Sequence, residues 1–199
     1  MVEFQYLDKR VQRTKINLYK ALLELLEQKK YEQITIKDII DFAGYSRGTF
    51  YIHYKQKDDL LNEIIDYLFN EAIKAQRSSY INEDSINIQK LDNEPIFIIK
   101  HFQQYGKYYK ILLGENLQID FSRKLTNLFV NLYLEDFEMQ DPTDENAIDK
   151  NLINKYYAYG LIGLIMEWVI ADCPTEPEVF SEELVKIFKY SLGTIQIIN

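Results

Sequence analysis

TIKDIIDFAGYSRGTFYIHYKQK, residues 35–57, is the stretch of sequence that determines the fold of the N-terminal part of the chain. Thr35 can cap a helix, and Asp38, three residues later, lies near the positive end of that helix. Isoleucines then recur at helical spacing, which gives the segment one apolar face. Gly44 can adopt the left-handed conformation that ends a helix, and Ser46 can cap the next one. The stretch therefore predicts two short helices joined by a glycine turn.

Polar side chains occupy the outward face of the second predicted helix, whereas Phe50 points inward. Two short helices joined by a glycine-containing turn form a helix-turn-helix, whose second helix enters the DNA major groove. Arg47 offers a forked donor for a guanine edge or a phosphate, and Lys57 begins the following helix beside free backbone amides. The alternative is an ordinary helical hairpin with a few polar surface residues. The residue pattern nominates Arg47, Gly48, Thr49, Tyr51, His53, Lys55 and Lys57 as DNA-binding residues.

A longer motif extends this pattern. TIKDI begins at Thr35, and AGYSRGTFYIHYKQKDDLL follows over residues 43–61, fitting G-x-S-x-x-T-F-Y-x-H-Y-x-x-K-x-x-L-L. Residues 10–69 thereby resemble the DNA-binding domain of TetR/AcrR-type transcriptional regulators. One departure is Ile40, because the family usually carries a small residue at this helix crossing. The resemblance implies DNA contacts from Thr35, Lys37, Arg47, Gly48, Thr49, Tyr51, His53 and Lys57.

Charge is distributed unevenly along the chain. The net charge of all 199 residues is −8, but residues 1–60 hold 11 Lys/Arg against 9 Asp/Glu, a net of +2. Residues 61–199 hold 12 against 22, a net of −10. Attraction to DNA depends on charges within about a Debye length of the phosphates, so a mildly basic head on an acidic body is compatible with DNA binding. We expect a pronounced salt dependence of that binding.

Several functional classes are disfavoured by what the sequence lacks. Its two histidines and single cysteine, Cys173, show no zinc-ligand spacing, and no glycine-rich phosphate loop or nucleophile elbow occurs. We therefore expect no enzyme activity, no metal and no cofactor. The lone cysteine, the absence of a signal-like N-terminus and the absence of an apolar run of about 20 residues favour a cytoplasmic protein without membrane association.

The residue pattern predicts helices over nearly all of the remaining chain, and therefore an all-α fold. A DNA-binding domain is expected at residues 1–57, with the start of a connecting helix to about residue 69, and a helical regulatory and dimerisation domain at 58–199. Residues 78–93 are polar and irregular. Amphipathic or apolar patterns predict helices at residues 58–77, 94–113, 117–138, 147–171 and 177–197.

The last two predicted helices suggest a dimer interface. Residues 159–170 are apolar almost all round, and two glycines lie in mid-helix, where each costs about 1 kcal/mol relative to alanine. Close approach of another helix would account for both features, as in a four-helix bundle shared by two subunits. The alternative is that these helices complete an intramolecular core. The candidate interface comprises Tyr156, Gly160, Gly163, Leu164, Glu167, Phe188 and Leu192.

Aromatic residues between 97 and 159 are candidates for an effector pocket, although such residues in helical proteins also form ordinary core. The body resembles the C-terminal type common among Firmicutes members of the TetR/AcrR family. The family resemblance implies a homodimer on a palindromic double-stranded DNA operator, switched by an effector, with control by a protein partner as the alternative. We expect a repressor, and the sequence leaves activation open. The candidate pocket comprises Phe102, Tyr105, Tyr109, Phe129 and Tyr133.

Overall fold

The computed structural model describes residues 8–81, 83–87, 97–117, 119–139, 149–191 and 194–197. These residues form two compact units. The first contains the described residues up to Leu68 together with Ile111–Ile119, and the second contains the remaining described residues from Phe69 onward. The first unit thus includes the whole predicted helix-turn-helix.

The described residues contain nine α-helices, one 3-10 turn and three short strands. In chain order they are α1 (Lys9–Gln28), the 3-10 turn (Tyr31–Gln33), α2 (Ile36–Ala43), α3 (Arg47–His53), α4 (Lys57–Ser78), β1 (Ser85–Asn87), α5 (Phe97–Gln104), α6 (Gly106–Leu113), α7 (Phe121–Asp136), β2 (Phe137–Met139), α8 (Lys150–Ile170), α9 (Pro177–Ser191) and β3 (Thr194–Ile197).

Short-range polar contacts set the ends of α2 and α3. The Thr35 hydroxyl accepts from the Asp38 amide at 3.1 Å while the Asp38 carboxylate accepts from the Thr35 amide at 2.8 Å, a reciprocal capping box. Gly44 ends α2 with φ of 72°, in the left-handed region. The Ser46 hydroxyl accepts from the Thr49 amide at 3.1 Å and caps α3. Phe50, on the inner face of α3, is fully buried. The predicted helix-turn-helix is therefore confirmed in its detail.

The second unit departs from the predicted helices at one internal break. The prediction of a single helix over residues 94–113 is wrong for residues 97–113, which the structure describes, because α5 ends at Gln104 and α6 begins at Gly106. The carbonyl of Tyr105 accepts from the amides of both Tyr108 and Tyr109, which starts a new helical turn. A glycine in mid-helix weakens the continuous form, which favours the break at this point.

A small antiparallel sheet is an addition to the predicted all-α architecture, which is otherwise confirmed. β3 lies between β1 and β2, with Ile195 paired to both Ile86 and Met139. The prediction that helices continue through residues 138 and 197 is wrong, since α7 ends at Asp136 and residues 194–197 form β3. Threonine and isoleucine in that last segment favour extended backbone, because β-branched side chains fit strands better than helices.

Candidate nucleic-acid interface

α3 presents an exposed polar and aromatic surface. Arg47, Gly48 and Tyr51 are exposed, whereas Thr49 and His53 are half-buried. The Arg47 guanidinium approaches the Tyr51 hydroxyl at 3.4 Å and lies 5.7 Å from the centre of its ring. This pairing holds the guanidinium along the outer face of the helix, where it can donate to a base edge or a phosphate.

α2 contributes an exposed lysine and a threonine that is already in use. Lys37 is exposed on the first turn. The Thr35 hydroxyl accepts from the Asp38 amide and donates to the Asp38 carboxylate at 2.9 Å, so the capping box occupies it in the absence of DNA. Hydrogen bonds from the Lys29 ammonium and from Thr35 lower the pKa of Asp38 to about 2. Asp38 therefore stays ionised and keeps the helix capped at neutral pH.

Lys57 has different surroundings from those the sequence predicts. Its ammonium donates to the backbone carbonyls of Tyr31 at 2.6 Å and Ile34 at 2.8 Å, and it lies 4.2 Å from the centre of the Tyr31 ring. The Asp59 carboxylate accepts from the amides of Lys55 at 2.9 Å and of Gln56 at 3.1 Å. These amides are therefore not free for a phosphate, and the Lys57 ammonium is directed into the first unit. The Lys55 side chain is exposed.

A polar network lies beside the end of α3, where the Lys15 ammonium is 5.7 Å from the centre of the Tyr54 ring. Glu63 accepts from the Lys15 ammonium at 2.6 Å and from the Tyr19 hydroxyl at 2.7 Å, which links α1 to α4. Burial, followed by the nearby charge of Lys15, lowers the pKa of His53. His53 is therefore neutral at physiological pH, and its imidazole can donate one hydrogen bond and accept another.

Two exposed apolar side chains on the helix-turn-helix are not among the DNA-binding residues that the sequence predicts. Ile52 on α3 is 78% exposed, and Phe42 at the end of α2 is 53% exposed. Ile52 lies one helical turn after Gly48, so both occupy one face of α3. An exposed aliphatic group on a recognition helix is suited to pack against a thymine methyl. Its four-residue spacing from Gly48 is the signal in the sequence that marks it.

The predicted effector-pocket residues fall in two neighbouring stretches of the second unit. The rings of Phe102 and Tyr109 are 4.5 Å apart, and those of Phe102 and Phe129 are 6.1 Å apart, while Tyr105 is buried beside His101. Tyr133 lies one turn beyond Phe129 on α7 and contacts Phe137. Four of the five residues thus belong to one closely packed aromatic cluster.

His101 provides a polar group inside that aromatic cluster. Its Nε2 atom is hydrogen-bonded to the Tyr109 hydroxyl at 2.8 Å. Burial lowers the pKa of His101 to about 4 and raises that of Tyr109 well above its usual value. Both groups are consequently neutral at pH 7, and the cluster contains a polar contact without a charge.

The predicted dimer residues on α8 share one outward face. Tyr156, Leu164 and Glu167 are exposed, as is Gly160, and Gly163 is half-buried. A Cβ atom built on either glycine would meet nothing within 4 Å, so packing within the chain does not require glycine at these positions. On α9, Phe188 is half-buried against Tyr157. Leu192 lies outside the described residues.

Neither a metal site nor a membrane span is found in the part of the chain that the structure describes. Within residues 8–197, less the gaps given above, no three His, Cys, Asp or Glu side chains converge to hold a metal ion. No described helix combines the length and the apolar character that crossing a bilayer requires.

A helix-turn-helix with an exposed cationic recognition helix defines a DNA-binding transcriptional regulator. Residues 18–64 match the family described as bacterial regulatory proteins, tetR family, and residues 89–190 match the family described as transcriptional regulator C-terminal region. The chain belongs to the TetR family of transcriptional regulators.

Its relatives by sequence include two regulators from Firmicutes. The uncharacterized HTH-type transcriptional regulator YxbF of Bacillus subtilis is 29% identical over 166 residues, covering 82% of this chain. The match spans only 42% of the length of YxbF. The HTH-type dhaKLM operon transcriptional activator DhaS of Lactococcus lactis is 26% identical over 153 residues, covering 76% of each chain.

Solved structures support the same fold. The dihydroxyacetone kinase operon activator DhaS superposes with a TM-score of 0.58 at 21% identity, covering 90% of this chain and 96% of that one. The fatty acid degradation regulator FadR from Bacillus halodurans gives a TM-score of 0.61 at 16% identity, with the same coverage. At these identities the likeness concerns the fold alone.

Proposed function

We propose that this protein is a repressor that binds a palindromic operator as a homodimer and is switched by an effector bound in the second unit. The observation that carries the proposal is the exposed surface of α3, where Arg47, Gly48 and Tyr51 face solvent above the buried Phe50. The predicted contacts from Thr35, Lys37, Thr49, His53 and Lys55 remain part of this proposal. Lys57, also a predicted contact, has its ammonium bonded to the Tyr31 and Ile34 carbonyls, and the variant discussed below tests which role it has.

DNA binding is tested by a mobility-shift titration with the DNA upstream of the protein's own gene. We expect saturable binding that weakens steeply with salt, because phosphate contacts release counterions. Arg47→Ala should weaken this binding, whereas Arg123→Ala, which removes the same exposed side chain from α7, should leave it unchanged. Equal loss in both variants would refute a specific role for α3, and absent binding by the unmodified protein would refute the operator proposal for this DNA.

Dimerisation through α8 and α9 is supported by their exposed apolar side chains. Leu152 is 63% exposed and Tyr156 is 69% exposed on α8, while Ile187 is exposed on α9. Patches of this kind on a folded chain commonly mark protein interfaces. A second copy of the chain would cover them and would also pair two recognition helices for the two half-sites of an operator.

The sign of regulation and the kind of effector are tested together in a reporter assay. A repressor lowers expression from its operator and releases it when the effector is added. The relative DhaS is named an operon activator, so increased expression from the same promoter would instead establish activation by this chain. Control by a protein partner is the alternative; it predicts that DNA affinity changes with cell extract but not with the small-molecule fraction of that extract.

A further inference from the structure

Gly48 and Ile52 form the outermost line of the recognition helix α3. Consecutive residues of an α-helix are about 100° apart around its axis, so Gly48 and Ile52, each two residues from Phe50, both lie about 160° from it. Phe50 is fully buried, whereas Ile52 is 78% exposed. The pair therefore occupies the side of α3 opposite its buried side, which is the side that enters the major groove when a recognition helix binds DNA.

Gly48 leaves the backbone of α3 open on this side. Apart from adjacent residues and the backbone of its own helix, a Cβ atom built at Gly48 would meet only the Ser46 Oγ atom within 4 Å, at 3.7 Å. Packing within the chain therefore does not require a glycine here, although glycine weakens a helix relative to alanine. Side chains on a helix lean toward its N-terminus, so Ile52 lies over the turn that contains Gly48. A partner that approaches α3 closely at Gly48 would contact the Ile52 side chain.

Polar groups flank this line on both sides. The Arg47 guanidinium and the Tyr51 hydroxyl are 3.4 Å apart on one side, and the hydroxyls of Ser46 and Thr49 are 2.9 Å apart on the other. Single exposed apolar residues are common on protein surfaces, so the exposure of Ile52 alone would need no explanation. Its position between groups that can bond phosphates and base edges gives it a place in the DNA-binding surface.

The major groove offers one apolar group that matches an isoleucine side chain. Thymine carries a C5-methyl group there, whereas the other groups that distinguish the base pairs are hydrogen-bond donors or acceptors. The Ile52 side chain has no donor or acceptor, so it can pack against that methyl but cannot bond a phosphate or a polar base edge. We propose that Ile52 packs against the C5-methyl of a thymine in each operator half-site and thereby determines specificity at that base pair, with Gly48 letting the backbone approach. The contact rests on the operator binding proposed above.

Replacement of thymine by deoxyuridine tests the contact, because deoxyuridine forms the same base pair and lacks only the C5-methyl. An operator duplex is first selected from random double-stranded DNA with the full chain, and its thymines are then replaced one symmetric pair at a time. Burial of one methyl group corresponds to about a fourfold change in binding, so loss of one methyl in each half-site should weaken binding about 15-fold at one position. No loss at any position would overturn the proposal.

Two isoleucine variants assign the methyl contact to Ile52, each measured by fluorescence anisotropy on the selected duplex and on its deoxyuridine forms. At the position where the unmodified protein loses about 15-fold, Ile52→Ala should bind the two duplexes with affinities that differ less than about twofold. Ile81→Ala removes an isoleucine that is 74% exposed in the second unit, and it should keep the full dependence. Because Ile52 is exposed, its replacement should leave the urea midpoint unchanged. Full dependence on the methyl at every position in Ile52→Ala would overturn the role of Ile52.

The same selection separates this contact from the proposed function. If the full chain enriches no DNA sequence, operator binding is contradicted and the role of Ile52 with it. If the enriched operator has no preferred thymine in its half-sites, or its affinity depends on no thymine methyl, operator binding stands and the role of Ile52 is overturned. Dependence on a methyl that is lost in Ile52→Ala and kept in Ile81→Ala supports both.

Discussion

Replacement of Lys57 by methionine separates two roles that this lysine can have. As a phosphate contact, its ammonium would matter for DNA affinity and little for folding. In the structure the ammonium instead donates to the carbonyls of Tyr31 and Ile34, which fixes the segment just before α2 against the start of α4. Methionine keeps most of the apolar stem and removes the charged donor, so the variant tests the two hydrogen bonds together with the contact of the ammonium with the Tyr31 ring.

The expected loss of stability follows from these two bonds. Hydrogen bonds to a charged group contribute about 1.5–3 kcal/mol each. The Tyr31 carbonyl also accepts from the Ile34 amide at 3.1 Å, so it keeps one partner in the variant. We therefore expect Lys57→Met to lower the free energy of unfolding by about 2–3 kcal/mol rather than by the full sum. With a urea m-value of about 2–3 kcal/mol/M, the midpoint should fall by about 1 M.

The assay is urea unfolding followed by circular dichroism, at one fixed protein concentration because a dimer unfolds in a concentration-dependent way. Lys55→Met is the matched control, since its side chain is exposed and lies two residues away. It should leave the midpoint unchanged and flatten the salt dependence of DNA binding by about 0.9 for each phosphate contact it removes. An unchanged urea midpoint in Lys57→Met, together with a flattened salt dependence, would refute the structural role assigned to Lys57.

Three further changes test the other sites. If Arg47 reads a base, Arg47→Ala should remove about 1–3 kcal/mol of the free energy by which the protein discriminates bases at one operator position. If Arg47 contacts a phosphate, binding should weaken equally on all sequences. Binding measurements on single-base operator variants distinguish the two. Gly163→Leu should convert the proposed dimer to monomer in light scattering. It should keep its helix content, because a Cβ there meets nothing within 4 Å in the chain, and Asn151→Leu at the start of α8 should remain dimeric. Burial lowers the pKa of His101 to about 4 from 6.5, so the unfolded state binds more protons between these values and stability should fall by up to about 3 kcal/mol as pH drops from 6.5 to 4. His101→Gln should remove that fall in urea unfolding at pH 7 and pH 4.5, and an equal fall in the variant would contradict the assignment.

The helix-turn-helix could be predicted from sequence because its signals act over three or four residues. Thr35 and Asp38 cap each other, Gly44 adopts its left-handed conformation, and Ser46 caps α3, each through a contact inside one turn of chain. Residue type alone therefore specified both helix starts and the turn between them. The exposed face of α3 followed from the same periodicity, because the burial of Phe50 fixes the orientation of its neighbours.

Features that depend on distant parts of the chain could not be predicted in the same way. Lys57 meets carbonyls that lie 23 and 26 residues earlier, so no local pattern distinguishes it from the exposed Lys55. The strand at residues 194–197 forms by pairing with residues 85–87 and 137–139, and Ile195 fits the apolar stripe of the predicted helix over 177–197 equally well until those partners are known. Periodicity identifies an apolar face, but it does not say what covers that face.

The hydrogen bonds around Tyr31 connect distant segments of the first unit. The Tyr31 amide donates to the Asn116 carbonyl at 2.8 Å, and Asn116 Nδ2 donates to the Leu26 carbonyl at 2.8 Å. Asn116 follows α6, a helix that contributes residues to both units, as α4 does. The Lys57 ammonium then joins the Tyr31 carbonyl to that of Ile34, immediately before the cap of α2. Residues 111–119 are therefore tied, within the first unit, to the segment that leads into the helix-turn-helix.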